Sequence, residues 1–168
     1  MHNQFCPNII KDGDLLAWRN DGSMLGNLVS YVTKGVYTHV GIAWSIHNRA
    51  YVIDAFWKGG VRLRYLGDNL PVDIIHTNVK WTEEIGDFAF SKMGRSYNYV
   101  GAAMLGLDIT PNYDSEVCSL YAASILKMGG VLPKGKGCLT PQKLVDKVSL
   151  ITGMDPVTIN KLEGLQYE

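Results

Sequence analysis

The sequence predicts an α+β fold, an antiparallel sheet followed by helices, and three observations carry that reading. Between Thr38 and Asn78 the runs THVGIAWSI, RAYVIDAF, VRLRYL and VDIIHTN are rich in β-branched and aromatic residues, with turn residues between them. In VRLRYL, Val61, Leu63 and Tyr65 alternate with Arg62 and Arg64, which suits a sheet with one wet face and therefore antiparallel pairing. From Thr82 onward the apolar period lengthens from two to about 3.6, the mark of helices packed on what precedes them.

Taken in order, DLLAW after the Gly13-Asp14 turn reads as a first strand. SMLGNLVSYVTKG follows with Leu25, Leu28, Val29 and Val32 at helical spacing and Gly35 as a stop. After the four central strands, TEEIGDFAFSKMG has Thr82 as a cap, two glutamates in its first turn, Ile85, Phe88, Ala89 and Met93 on one face, and Gly94 as terminator. DSEVCSLYAASILKMGG repeats the pattern, with Asp114 or Ser115 as cap and Val117, Leu120, Tyr121, Ser124, Ile125 and Met128 inward. TPQKLVDKV opens on Thr140 and Pro141, a cap followed by a first-turn proline, and DPVTINKL is expected to start a last helix in the same way. The whole, residues 1–168, is expected to be a single domain with a sheet of five or six strands, barrel-like, packed on the Cys118 helix.

Composition narrows the function classes. The chain has 168 residues, 46% hydrophobic and 19% charged, enough to bury a core without staples. Lys plus Arg and Asp plus Glu both number 16, so no basic excess points to nucleic acid. No window approaches the ~18 apolar residues of a membrane span, and the start, MHNQFCPNIIKDGD, has no charged leader followed by an apolar run. The expectation is a protein that is cytoplasmic at synthesis. Cys6, Cys118 and Cys138 form no CxxC pair and lie near no histidine at zinc spacing, so neither a disulfide framework nor a metal site is expected.

The cysteines separate by context. Cys118 falls in the first turn of a helix, where unsatisfied N–H groups and the positive end of the dipole favour a thiolate and can donate to an oxyanion. Such a nucleophile needs a base, and the base something to orient it. If THVGIAWSI and RAYVIDAF form a hairpin turning at His47 and Asn48, Gly41 stands opposite Asp54 and His39 opposite Phe56. His39 and Asp54 are then diagonal neighbours on one face, ~7–8 Å apart at the backbone. His47 and His76 have no such partner in the sequence and read as surface or strand residues. The Trp57-Lys58-Gly59-Gly60 stretch reads either as a flexible turn or as the rim of a substrate groove.

KDGDLLAW, YTHVGIAW and YVIDA together resemble the Gly-Asp-Leu, His-Val-Gly-Ile and apolar-apolar-polar-Ala run of the NlpC-type papain-like cysteine peptidases. In the common form of that family the Cys-Ser helix precedes the His strand. Here VCSLYAA follows it, with GRSYNY between, so the chain resembles the circularly permuted YiiX/YebB-like branch. The likeness spans roughly residues 13 to 144. It implies a papain-like fold in which Cys118 is the nucleophile, His39 the base, Asp54 the residue that orients the base, and Tyr97 a tyrosine lining the site near the oxyanion. The orienting position in the family is more often His, Asn, Gln or Glu, and Asp accepts a ring N–H equally well.

The resemblance further implies a hydrolase that needs no metal or cofactor, with the peptide stem of peptidoglycan as its substrate and lipid esters or amides next. Two other classes stand beside it. The lecithin retinol acyltransferase group shares the His-strand motif but carries Asn-Cys-Glu-His at its nucleophile and a membrane-associating segment, unlike EVCSLY here. A non-catalytic structural module would have lost one of the three residues, and all are present. A wall hydrolase without a leader reaches its substrate if it is carried in a phage particle, released by lysis or delivered by a secretion apparatus, and the phage particle is the expected route.

Overall fold

The computed structural model describes residues 10–47, 49–98, 117–135 and 139–161, with Leu25 as backbone only. The described elements run β1 (Leu15–Arg19), α1 (Met24–Thr33), β2 (Tyr37–Ile46), β3 (Arg49–Phe56), β4 (Gly60–Tyr65), a 3-10 turn (Leu66–Asn69), β5 (Val72–Ile75), α2 (Glu83–Ser91), α3 (Cys118–Met128), α4 (Pro141–Thr152) and β6 (Val157–Ile159). The strands make one six-stranded sheet in the order β4-β3-β2-β1-β5-β6, every neighbour antiparallel. The fold is α+β, with β4 and β6 as the two ends of the sheet.

The β2–β3 register follows from its turn. His47 takes a left-handed φ of 49°, and Ile42 pairs with Ile53 and Ala43 with Val52, the register expected from a turn at that point. Gly41 lets the two strands close at the next step. A Cβ there would collide with the Val52 side chain and lie 3.1 Å from Asp54 Cβ.

Alternation gives the sheet two apolar faces. On one, Leu15, Ala17, Ile42, Ile53 and Ala55 pack with Ile85 and Ala89 of α2, Tyr121, Ile125 and Leu126 of α3, and Leu144 and Val148 of α4. On the other, Leu16, Ala43, Val52 and Ile74 pack with Ile10, Leu66 and Ile159. Each fully buried Ile or Leu contributes roughly 1.5–3 kcal/mol over leaving it in water. The expected caps form: Thr82 accepts from the Ile85 N–H, and Thr140 accepts from the Lys143 N–H, with Pro141 opening α4.

Three expectations are corrected. DPVTINKL does not start a helix; Val157–Ile159 is β6, laid on the free edge of β5 with Val72 opposite Ile159. Ladder hydrogen bonds and a bond from Thr158 Oγ1 to Asp73 Oδ1 at 2.5 Å outweigh the helix-start signal of Asp155-Pro156. The proposed caps of α3, Asp114 and Ser115, lie outside the described residues; Val117 occupies the cap position and supplies no side-chain acceptor. Finally, α3 buries more than one stripe. It packs against the sheet, α2 and α4, so Cys118, Ser119, Ala122, Ala123 and Leu126 are all buried while Met128, expected inward, is 46% exposed. Among the described residues no helix is long and apolar enough to cross a membrane.

Candidate active site

β2 positions His39 and β3 positions Asp54, and the hairpin register sets both on the same face. His39 Nε2 and Asp54 Oδ2 are 2.6 Å apart. The Asp54 side chain is fully buried and that of His39 is 16% exposed. The imidazole lies between Trp18, tilted with centroids 5.4 Å apart, and Phe56, edge-on at 5.3 Å, which limits its rotation. Trp18 is itself held by its indole N–H, which donates to the Asn69 carbonyl at 2.6 Å.

With Nε2 taken by Asp54, Nδ1 is the ring nitrogen left for a second partner. Cys118, the first residue of α3 and almost wholly buried, brings its sulfur close enough to bear on the ring's titration. Burial works against the charged ring, but the contacts with Asp54 and Cys118 outweigh it and raise the His39 pKa from 6.5 to about 9. The ring is therefore protonated at neutral pH. Val117 and Cys118 begin a helix whose first N–H groups have no acceptor inside it.

Asp54 serves more than the histidine. Arg64 bonds both carboxylate oxygens, Nη2 to Oδ2 and Nε to Oδ1, the latter at 3.4 Å. Arg62 Nε approaches Oδ1 at 3.6 Å. Arg64 is in turn held by Asn69 Oδ1, and both guanidiniums stack over the Phe56 ring, Arg62 at 3.9 Å and Arg64 at 4.9 Å. Burial pushes the Asp54 carboxyl up, but the bonds from His39 and then Arg64 bring it below the ordinary carboxylate value. The cluster holds one carboxylate against two guanidiniums and an imidazolium, a net positive field beside the sulfur.

Sequence reasoning missed the two arginines, reading them as the wet face of β4. The signal was present in the Gly59-Gly60 turn, which sets Asp54 opposite Arg62 and Val52 opposite Arg64, so that both arginines share a face with the carboxylate. It also left His76 without a partner. His76 Nδ1 is 2.8 Å from Asp14 Oδ2, and the same carboxylate accepts from the Thr77 and Lys11 N–H groups. That pair ties the start of β1 to the end of β5.

A cavity of about 740 Å³ opens on Cys118 and His39, and Tyr97, Trp57 and Ser119 also line it. Tyr97 thus borders the same cavity as the cysteine. Ser119 Oγ is buried and has no hydrogen-bond partner among the described residues. Among the described residues no cluster of three or more His, Cys, Asp or Glu could hold a metal ion. Cys6 and Cys138 lie outside the described residues.

No family model matches this sequence, and no curated protein is similar enough to count as a relative. Among solved structures the chain resembles the metalloprotein YiiX of Escherichia coli O157:H7, a DUF1105 protein, with a TM-score of 0.57 at 13% identity, over 90% of this chain and 97% of that one. The likeness is one of fold. It leaves activity to be argued from the side chains.

Proposed function

We propose that the chain is a thiol hydrolase in which Cys118 is the nucleophile, His39 its proton partner and Asp54 the group that orients His39. The observation that carries the reading is the His39–Asp54 bond of 2.6 Å with the Cys118 sulfur near the same ring. The thiolate attacks an ester or amide carbonyl, and the Cys118 N–H at the open helix end receives the oxyanion, with the Tyr97 hydroxyl as the second donor. His39 delivers its proton to the leaving group, and water then hydrolyses the acyl-enzyme with His39 as base. Resemblance of motifs favours the peptide stem of peptidoglycan as the bond cut, whereas the apolar cavity beside the thiol favours an acyl group.

The test is twofold. Iodoacetamide at mildly acidic pH labels Cys118 ahead of Cys6 and Cys138, read by peptide mass; equal labelling of all three in the folded protein refutes the thiolate assignment. The protein is also incubated with peptidoglycan fragments and with phospholipid and the products are identified by mass. Release of a stem-peptide fragment or of a fatty acid supports hydrolysis and names its class. Silence from both, with a well-folded sample, favours a structural module.

A further inference from the structure

We infer that Arg62, on β4 beside the candidate active site, binds an oxyanion, a carboxylate or a phosphate. Such a site exists whether or not Cys118 is a nucleophile. Its unspent donors are the first reason. A guanidinium carries five N–H groups, yet among the described residues Arg62 makes a single hydrogen bond, from Nη1 to the Lys58 carbonyl at 3.0 Å. Its Nε is buried and has no hydrogen-bond partner among those residues. Asp54 Oδ1, at 3.6 Å from that nitrogen, is beyond hydrogen-bond reach.

The second reason is charge. Asp54 Oδ2 already serves His39 and Arg64, and Oδ1 serves Arg64, so Arg62 is left as the cation without a counterion of its own. Arg19 shows the matched case: its Nε meets Asp73 Oδ2 at 2.8 Å, and among the described residues no second guanidinium shares that carboxylate. Burial and then the neighbouring Arg64 both work against the Arg62 charge. An arriving anion therefore relieves repulsion as well as accepting hydrogen bonds.

The guanidinium is also held in place and open to solvent. It stacks on Phe56, 3.9 Å from the ring centroid, and the bond to the Lys58 carbonyl fixes its plane. The Arg62 side chain is 30% exposed, and Lys58 beside it is exposed and adds attraction for an anion. A planar fork fixed in advance suits the paired oxygens of a carboxylate or phosphate. Phe56 and Trp57 line the cavity that opens on Cys118, and Phe56 meets the His39 ring edge-on. The oxyanion is thus seated beside that cavity, with one aromatic ring between it and the imidazole.

The experiment titrates the full chain with inorganic phosphate and, separately, with acetate, at an ionic strength held constant with sodium chloride, and reads heat of binding and melting temperature. Saturable binding of at least one of the two is expected, whereas stabilisation by exclusion of phosphate from the surface does not saturate. Arg62→Gln weakens it roughly tenfold or more, the equivalent of about 1.4 kcal/mol, Arg62→Lys weakens it less, and Arg19→Gln leaves it unchanged. Without added anion, Arg62→Gln is at least as stable as the native chain, because it removes a cation that has no counterion; should it misfold, Arg62→Lys decides. A second arm finds the source of the oxyanion, with the mono-p-nitrophenyl ester of glutaric acid and its neutral methyl diester. Preference for the acid, lost in Arg62→Gln, means that the substrate carries the group; equal turnover of both, beside Arg62-dependent phosphate or acetate binding, means that a free anion occupies the site. No turnover of either ester, with that binding intact, keeps the site and counts against the hydrolase reading alone. Absence of saturable binding, or equal affinity in the native chain and Arg62→Gln, overturns the inference.

Discussion

At Asp54 a single carboxylate faces an imidazole and two guanidiniums, and each partner constrains the others. Arg64 and His39 meet the carboxylate together, so its direction is fixed before any substrate arrives, and with it the tautomer and tilt of the ring. Asp54→Asn keeps the shape and removes the charge. Turnover is expected to fall by something on the order of 10 to 10³, less than for Cys118→Ala or His39→Ala, with the fold retained; unchanged activity per folded molecule together with unfolding would make Asp54 purely structural. Arg64→Gln removes a cation from the same carboxylate. More of the Asp54 charge then acts on the imidazolium, so the alkaline limb of the pH–rate profile, set by His39 at about 9, moves upward while kcat falls roughly tenfold. Arg64→Lys recovers this incompletely, because a point charge cannot span Asp54 and Asn69 as the planar fork does.

Between elements, the decisive contact is the closure of β2 on β3 at Gly41. The space that a Cβ would need is filled by the Val52 side chain and Asp54, so Gly41→Ala must push the carboxylate or the strand aside. A loss of about 1–3 kcal/mol is expected from such overpacking, read as a lower urea midpoint. A larger proportional loss of turnover should accompany it, because the displaced residue orients His39. If stability falls and kcat per folded molecule is unchanged, Asp54 does not need its present position. By contrast, Thr140→Ala acts on a helix start alone: about 1 kcal/mol of stability is lost with the cap.

Across the whole molecule, two buried acid networks join parts distant in sequence. Asp73, on β5, accepts from Arg19 of β1, Tyr37 of β2 and Thr158 of β6, and burial followed by that carboxylate raises the Tyr37 pKa to about 12. The Asp54 network gives stability a pH dependence with a definite sign. The folded His39 pKa, about 9, exceeds the unfolded value of 6.5, so its contribution is complete below 6.5 and is lost as pH rises through 9. The Asp54 value is lowered from 3.8, so its contribution is present above 3.8 and is lost as pH falls through the lower folded value. Melting temperature is therefore expected to decline between pH 6.5 and 9, and His39→Gln should flatten that decline; a native slope identical to the variant's refutes the buried ion pair.

Local chemistry settled the parts that depend on near neighbours. The turn at His47 fixed the β2–β3 register and thereby brought His39 to Asp54, and Thr82 and Thr140 announced α2 and α4, because turns and caps act over a few residues. Tertiary structure decided the rest. Asp155-Pro156 signals a helix start, yet the free edge of β5 made Val157–Ile159 a strand, since ladder bonds to a distant segment outweigh a local preference. Arg62 and Arg64 have the alternation of a solvated face, and only the β3–β4 pairing reveals the carboxylate that they share. The helix stripe of α3 did not announce burial on several sides, which comes from packing between the sheet, α2 and α4. The cavity beside Cys118 likewise exists only where α1, the sheet and the start of α3 converge, because enclosed space belongs to their packing and to no single segment of the chain.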